Sequence, residues 1–203
     1  MNEGGALERY LCKYLSYTHS EEEARELALA LSSKYGAISY IASSSIDELM
    51  SIRGLSRSAA LSLKLLSYVY SRSITDSFEF GKRHSEEEII EYLRALFVGR
   101  SIETVYCLLL DGQGRVISAE FIGEGTVNTS DVYPRRVLER SCSAGAAAVI
   151  MAHNHPKGTA QPSSADMLGT SYLKHVLAIS GIKLVAHYLV TERECNKINL
   201  YEG

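Results

Sequence analysis

The chain has 203 residues, 46% hydrophobic and 22% charged, with a net charge of −3. This is the composition of a soluble globular protein of one medium domain or two small ones, and it gives no support for strong nucleic-acid binding. Cys12, Cys107, Cys142 and Cys195 form no C-x-x-C pair, which argues against a disulfide framework or a cysteine zinc knot. They read as free thiols in a reducing compartment. With no basic-then-apolar leader and no run approaching the ~20 apolar residues of a membrane helix, the expected location is the cytoplasm, away from membranes.

Taken in order, residues 6–34 are helical by period, with Leu7, Leu11, Leu15 and then Ala24, Leu27, Leu31 on three- and four-residue steps. His19-Ser20 interrupts the run. Ser20 and Glu23 have the spacing of a capping box, and Gly36 ends the second helix. Ser45 and Glu48 predict another capped helix, with Ile46, Leu49 and Met50 turned inward. Ile52-Arg53-Gly54-Leu55 turns sharply, and residues 56–71 resume a helix with Ala59, Leu63, Leu66 and Tyr70 along one side. Residues 1–72 therefore form a small all-helical domain, and 73–85 read as a polar linker into a helix over 86–97 striped by Ile89, Ile90, Leu93 and Phe97.

The rest, 86–203, changes character. Residues 103–110, ETVYCLLL, have the make-up of a strand, and Asp111-Gly112-Gln113-Gly114 signals a hairpin into a returning strand over 115–122. A helix is predicted over 134–143, a buried strand over 146–152, a helix over 164–179 and a strand over 182–191. Strands and helices mixed without a repeating βαβ rhythm imply an α+β fold or an αβα sandwich.

The segment 152–166, AHNHPKGTAQPSSAD, sits where the apolar strand runs out. His153 and His155 are two apart, so on extended backbone they project to one side. Pro156, Gly158 and Pro162 then force a loop, Ser163 is placed to cap the next helix, and Asp166 in its first turn faces the same mouth. Two imidazoles and a carboxylate, with a fourth position left to water, describe a catalytic zinc site that lowers the pKa of the water to ~7. The same residues also fit a plain surface loop with a capped helix. No H-E-x-x-H, P-C-x-x-C after the histidines, G-x-x-x-x-G-K-[ST] or G-x-S-x-G occurs, which argues against zincins, nucleobase deaminases and two further enzyme classes.

H-x-H-P, ten residues' spacing and S-x-x-D resemble the JAMM motif of JAB/MPN metalloproteases, and HNHPKG…PSSAD resembles the bacterial RadC branch. Upstream, GEGTVNTSDVYPRRVLERSCSAGAAAVIMAHNHP is similar to the RadC pattern of a G-T-V-N turn, a P-R dipeptide, a helix and an alanine-rich strand. The resemblance implies a cytidine deaminase-like αβα sandwich holding one zinc through His153, His155 and Asp166. It implies Glu103 as general base and Ser163 as hydrogen-bond donor to the oxyanion. By residue type alone Glu103 is a solvated strand end and Ser163 a helix cap. The family's Asp-His on the last core strand is Ala186-His187 here, which puts support of the site in question if that aspartate provides it; His187 by itself reads as a packed strand residue. Asn154, Lys157 and Arg135 match family positions without an assigned role.

Residues 46–66 resemble a helix-hairpin-helix, in which a Gly-hydrophobic-Gly turn offers backbone N–H groups to a DNA phosphate. Ser56 replaces the second glycine, while residues 49–72 carry four basic residues, Arg53, Arg57, Lys64 and Arg72, and no acidic one. Arg53, Gly54 and Arg57 are the candidate DNA contacts. The expected function is a zinc-dependent hydrolase of peptidase or isopeptidase type, with a protein or peptide substrate. The rivals are a DNA-associated accessory protein with a structural or vestigial zinc site, and a zinc phosphodiesterase on nucleic acid. A homodimer is an open expectation.

Overall fold

A computed structural model describes residues 3–125, 132–156, 158–191 and 194–199. Thr126, Val127 and Asn128 of the G-T-V-N turn, and Lys157, lie outside the described residues. The chain divides into two compact units, Met1–Ser73 and Ile74–Gly203.

The first unit is helical: α1 (Glu3–Leu15), α2 (Glu21–Tyr35), α3 (Ile38–Ser43), α4 (Ile46–Met50) and α5 (Arg57–Ser77), the last running past the division. The capping boxes at Ser20 and Ser45 form as the spacing predicts, and Gly36 closes α2 at φ 69°, where its missing Cβ avoids strain. Leu11, Leu15, Leu27, Leu31, Leu49, Leu55 and Leu63 are buried together, each burial contributing ~1.5–3 kcal/mol. Three expected inward positions are corrected. Met50 is exposed because α4 buries Leu49, and Leu66 and Tyr70 are exposed because the core contacts of α5 are made at Ala59, Ala60 and Leu63. The six-residue α3 is too short to show a period and has no side-chain cap; Lys64 donates instead to the Ala42 and Ser44 carbonyls at its far end. Helix α5 also continues through 73–77 of the expected linker. No glycine or proline stops it there, and the Ser73 and Ser77 hydroxyls fold back onto the Tyr70 and Ile74 carbonyls.

The second unit is a mixed α/β structure: α6 (Glu86–Phe97), β1 (Thr104–Leu110), β2 (Val116–Glu124), α7 (Val132–Ser143), β3 (Ala148–Asn154), α8 (Ser164–Ile179), β4 (Lys183–Val190) and β5 (Cys195–Lys197). The strands lie in the order β2-β1-β3-β4-β5; β3 and β4 are parallel and the other pairs antiparallel. The parallel pair is joined by α8, the crossover such a pair requires. Strand alternation divides the core. Tyr106, Leu108, Ile150, Ala152, Ala186 and Tyr188 pack with α6 residues Ile89 and Leu93. Val105, Cys107, Val149 and Met151 pack with Val137 of α7 and Leu173 and Leu177 of α8. The sheet thus carries α6 on one face and α7 and α8 on the other. Residues 78–85 are not a loose tether at all: Phe78 stacks on His84 and on Tyr92 of α6, with ring centroids 4.0 Å apart in both cases.

No helix among the described residues is long and apolar enough to cross a membrane.

Candidate metal centre

Strand β3 ends at Asn154, and His153 pairs with Val105 across the β1–β3 ladder. Val105 faces the α7–α8 layer, so directly opposed His153 faces it too. His155 continues the strand for one more bond, its N–H donating to the Val190 carbonyl at 2.9 Å. The chain then turns back under His155. The Gly158 N–H donates to the His155 carbonyl, and a Cβ on Gly158 would stand 2.9 Å from the His155 Cβ, so a side chain there pushes directly on the imidazole's root.

The third group comes from the first turn of α8. Ser163 caps that helix, with Asp166 as the reciprocating residue of the box. Asp166 Oδ2 accepts from the Ser163 N–H at 2.7 Å and from the Ser163 hydroxyl at 2.7 Å. This locks the carboxylate against the histidines: Oδ1 lies 3.2 Å from His153 Nε2 and Oδ2 3.4 Å from His155 Nε2. The two Nε2 atoms are 3.3 Å apart. Burial alone would raise the Asp166 pKa, but its contacts with His153 and the hydrogen bonds from Ser163 outweigh it and hold the carboxyl well below the usual range.

The proton positions follow from the partners. The His155 Nδ1 meets the Thr159 carbonyl at 3.3 Å, and since a carbonyl only accepts, Nδ1 is the donor. The His153 Nδ1 meets His187 Nε2 at 2.8 Å. His187 is 5% exposed, and burial, followed by the neighbouring His153, drives its pKa well below the ordinary value while Asp166 opposes this.

His153, His155 and Asp166 are the group of three His, Cys, Asp or Glu residues among the described ones whose donor atoms converge, all within 4.8 Å of one another. The donor set suits zinc. Ligand atoms ~2.0–2.1 Å from a tetrahedral ion stand about 3.3 Å from each other; the two Nε2 atoms here are 3.3 Å apart, and each faces its own oxygen of the Asp166 carboxylate, His153 facing Oδ1 and His155 facing Oδ2.

Glu103 immediately precedes β1 and is half-buried. By strand alternation it shares the face of Val105 and hence of His153. Its backbone is held on both sides by Asn154, whose Oδ1 accepts from the Thr104 N–H at 2.7 Å and whose Nδ2 donates to the Ile102 carbonyl at 3.3 Å. That bracket is a role for Asn154 that spacing did not reveal. Ser163 has one hydroxyl proton, and here it points at Asp166 rather than outward. His187 was equally hidden, since its partners Thr170 and His153 lie 17 and 34 residues away. Ala186 belongs to the cluster under α6, on the sheet face opposite the histidines, so its side-chain position is remote from the carboxylate and imidazoles. His187, its neighbour on the strand, is the residue that meets His153. Arg135 pairs with Glu139 on α7.

In the first unit, Arg53 and Arg57 are exposed on either side of Gly54, which has φ 89°. Ser56 accepts from the Ala59 N–H through its hydroxyl, capping α5 and taking up one of the amides that would otherwise face an anion. Lys64 is not part of a free basic patch, because its ammonium is engaged by the α3 carbonyls.

A mixed sheet with two histidines leaving a central strand and an aspartate on the crossover helix is a JAB-type domain. The model of the RadC-like JAB domain matches residues 83–199, and the chain belongs to that family. It is 34% identical over 169 residues to a UPF0758 protein of Chromobacterium violaceum, covering 83% of this chain and 75% of the relative. A UPF0758 protein of Vibrio parahaemolyticus is 35% identical over 170 residues, 83% of this chain and 76% of the relative. One of Dechloromonas aromatica is 34% identical over 187 residues, 89% of this chain and 80% of the relative.

Proposed function

We propose that the chain is a zinc-dependent hydrolase that cleaves an amide bond in a peptide or an isopeptide-linked protein. The observation that carries this reading is the convergence of His153, His155 and Asp166, one donor atom from each lying within 4.8 Å of the others. Zinc held there supplies a Lewis acid and a water of lowered pKa. Glu103, on the same face and at the same strand end, accepts the proton of the attacking water and delivers it to the leaving nitrogen. Asn154 keeps that carboxylate at the mouth by fixing the backbone around it. Ser163 holds Asp166; donation to an oxyanion requires its hydroxyl to turn away from Oδ2.

The test is Glu103→Gln in the full chain, assayed on a panel of peptide and isopeptide substrates. The expected result is retention of zinc with hydrolysis reduced ~100-fold or more, the scale of a lost general base. Zinc-dependent cleavage that persists undiminished in Glu103→Gln removes Glu103 from the mechanism. Cleavage of nucleic acid that tracks Glu103 favours the phosphodiesterase reading instead.

A second reading, DNA contact through the first unit, is favoured by the exposure of Arg53 and Arg57 beside the Gly54 turn. Two arginines neutralise about two phosphates, so log affinity falls against log salt with a slope of about −2. Replacing both by alanine abolishes that slope; DNA binding unchanged by the replacement rules out the turn as the contact.

A further inference from the structure

The metal reading leaves His187 and Thr170 unused, although both are buried polar groups directly behind the site, 5% and 3% exposed. A buried polar pair of this kind is costly unless every donor finds an acceptor. Following the protons through the pair gives one consistent assignment. The Asp166 carbonyl can only accept, and the Thr170 hydroxyl lies 2.5 Å from it, so the single hydroxyl proton goes there. Thr170 Oγ1 is then an acceptor towards His187 Nδ1, 2.6 Å away, and Nδ1 must carry a proton. Burial to 5% exposure opposes a second proton on the His187 ring, so with one on Nδ1 the Nε2 atom keeps its lone pair. That lone pair accepts from His153 Nδ1 at 2.8 Å. His153 is left with an unprotonated Nε2, aimed at His155 Nε2 and Asp166.

We propose that Thr170 and His187 are positioning residues that fix the tautomer of His153, so that its Nε2 lone pair is presented to the metal before the metal arrives. The relay runs from the Asp166 backbone through Thr170 and His187 to His153, and links one ligand's main chain to another ligand's ring. It rests on the metal reading for its purpose but not for its geometry. Metal-binding histidines commonly donate their second ring nitrogen to a carboxylate or carbonyl. Here a neutral imidazole takes that place, and it can accept only while Thr170 holds its Nδ1 proton. Without the hydroxyl, the His187 proton is free to move to Nε2, where it opposes the His153 proton and drives His153 into the wrong tautomer.

The experiment compares Thr170→Val, Thr170→Ser and the unaltered full chain. Zinc affinity is measured by competition with a chromophoric chelator, and folding is checked by thermal melting. Thr170→Val, which keeps the volume and loses the hydroxyl, is expected to bind zinc ~10–100-fold more weakly; Thr170→Ser, which restores the hydroxyl, binds like the parent. Equal affinity in Thr170→Val and the parent, or equal weakening in both variants, overturns the relay. Long-range nitrogen–proton NMR on the zinc-free parent decides it independently, including if Thr170→Val does not fold. Both His153 and His187 are expected as Nδ1–H tautomers, and His153 found with its proton on Nε2 refutes the proposal. A parent that binds no zinc, while showing these tautomers, defeats the metal reading and leaves the relay standing.

Discussion

Gly158 shows how single residues control the site. Its hydrogen is all that fits beneath His155, since a Cβ would lie 2.9 Å from the His155 Cβ. Gly158→Ala is therefore expected to weaken zinc binding ~10-fold or more while leaving the melting temperature of the fold nearly unchanged; calorimetric titration with zinc checks it. The thiols give a second residue-scale prediction. Cys107 is fully buried, and burial pushes its pKa up to about 12 ahead of the smaller effect of Glu120, whereas Cys142 is exposed. Iodoacetamide at mild alkaline pH is expected to modify Cys142 in the native chain and Cys107 only after unfolding, as read by peptide mass spectrometry. The histidines and Asp166 were legible in the sequence because local spacing brings them together: two residues on one strand, and a cap box at the next helix start. His187 and Thr170 were not, because their partners are set by the pairing of β3 with β4 and by the packing of α8, neither of which a linear pattern displays.

At the scale of elements, α8 does two jobs through one motif. The Ser163–Asp166 box satisfies orphan N–H groups at the helix start, and the same bonds fix the carboxylate facing the histidines. Ser163→Ala is thus expected to lower stability by about 1 kcal/mol and to weaken zinc binding as well. Denaturant unfolding with and without zinc separates the two losses; a variant that loses stability but not zinc affinity shows Ser163 to be a cap only. Long, strongly periodic elements were readable to within a few residues, since burial of one face is written in the spacing. The short ones, α3 and β5, were not, because six and three residues are too few to express a period. Helix α5 outran its expected end for a related reason: its polar last turns read as linker, but serine hydroxyls bonded to the preceding turn keep it helical.

For the molecule as a whole, the family match falls within the second unit, residues 83–199, while similarity to the UPF0758 relatives spans 83–89% of the chain. The candidate metal centre lies in the second unit, where β3, β4 and α8 supply His153, His187 and Asp166. The first unit offers a capped helical core and a turn flanked by two exposed arginines. The account's central claim, that His153, His155 and Asp166 hold zinc, is tested most directly by elemental analysis of the full chain purified without chelator, beside His153→Ala/His155→Ala. One zinc per chain in the parent and essentially none in the double variant is the predicted result. A parent that carries no zinc and takes up none on dialysis, or a double variant that keeps it, contradicts the account.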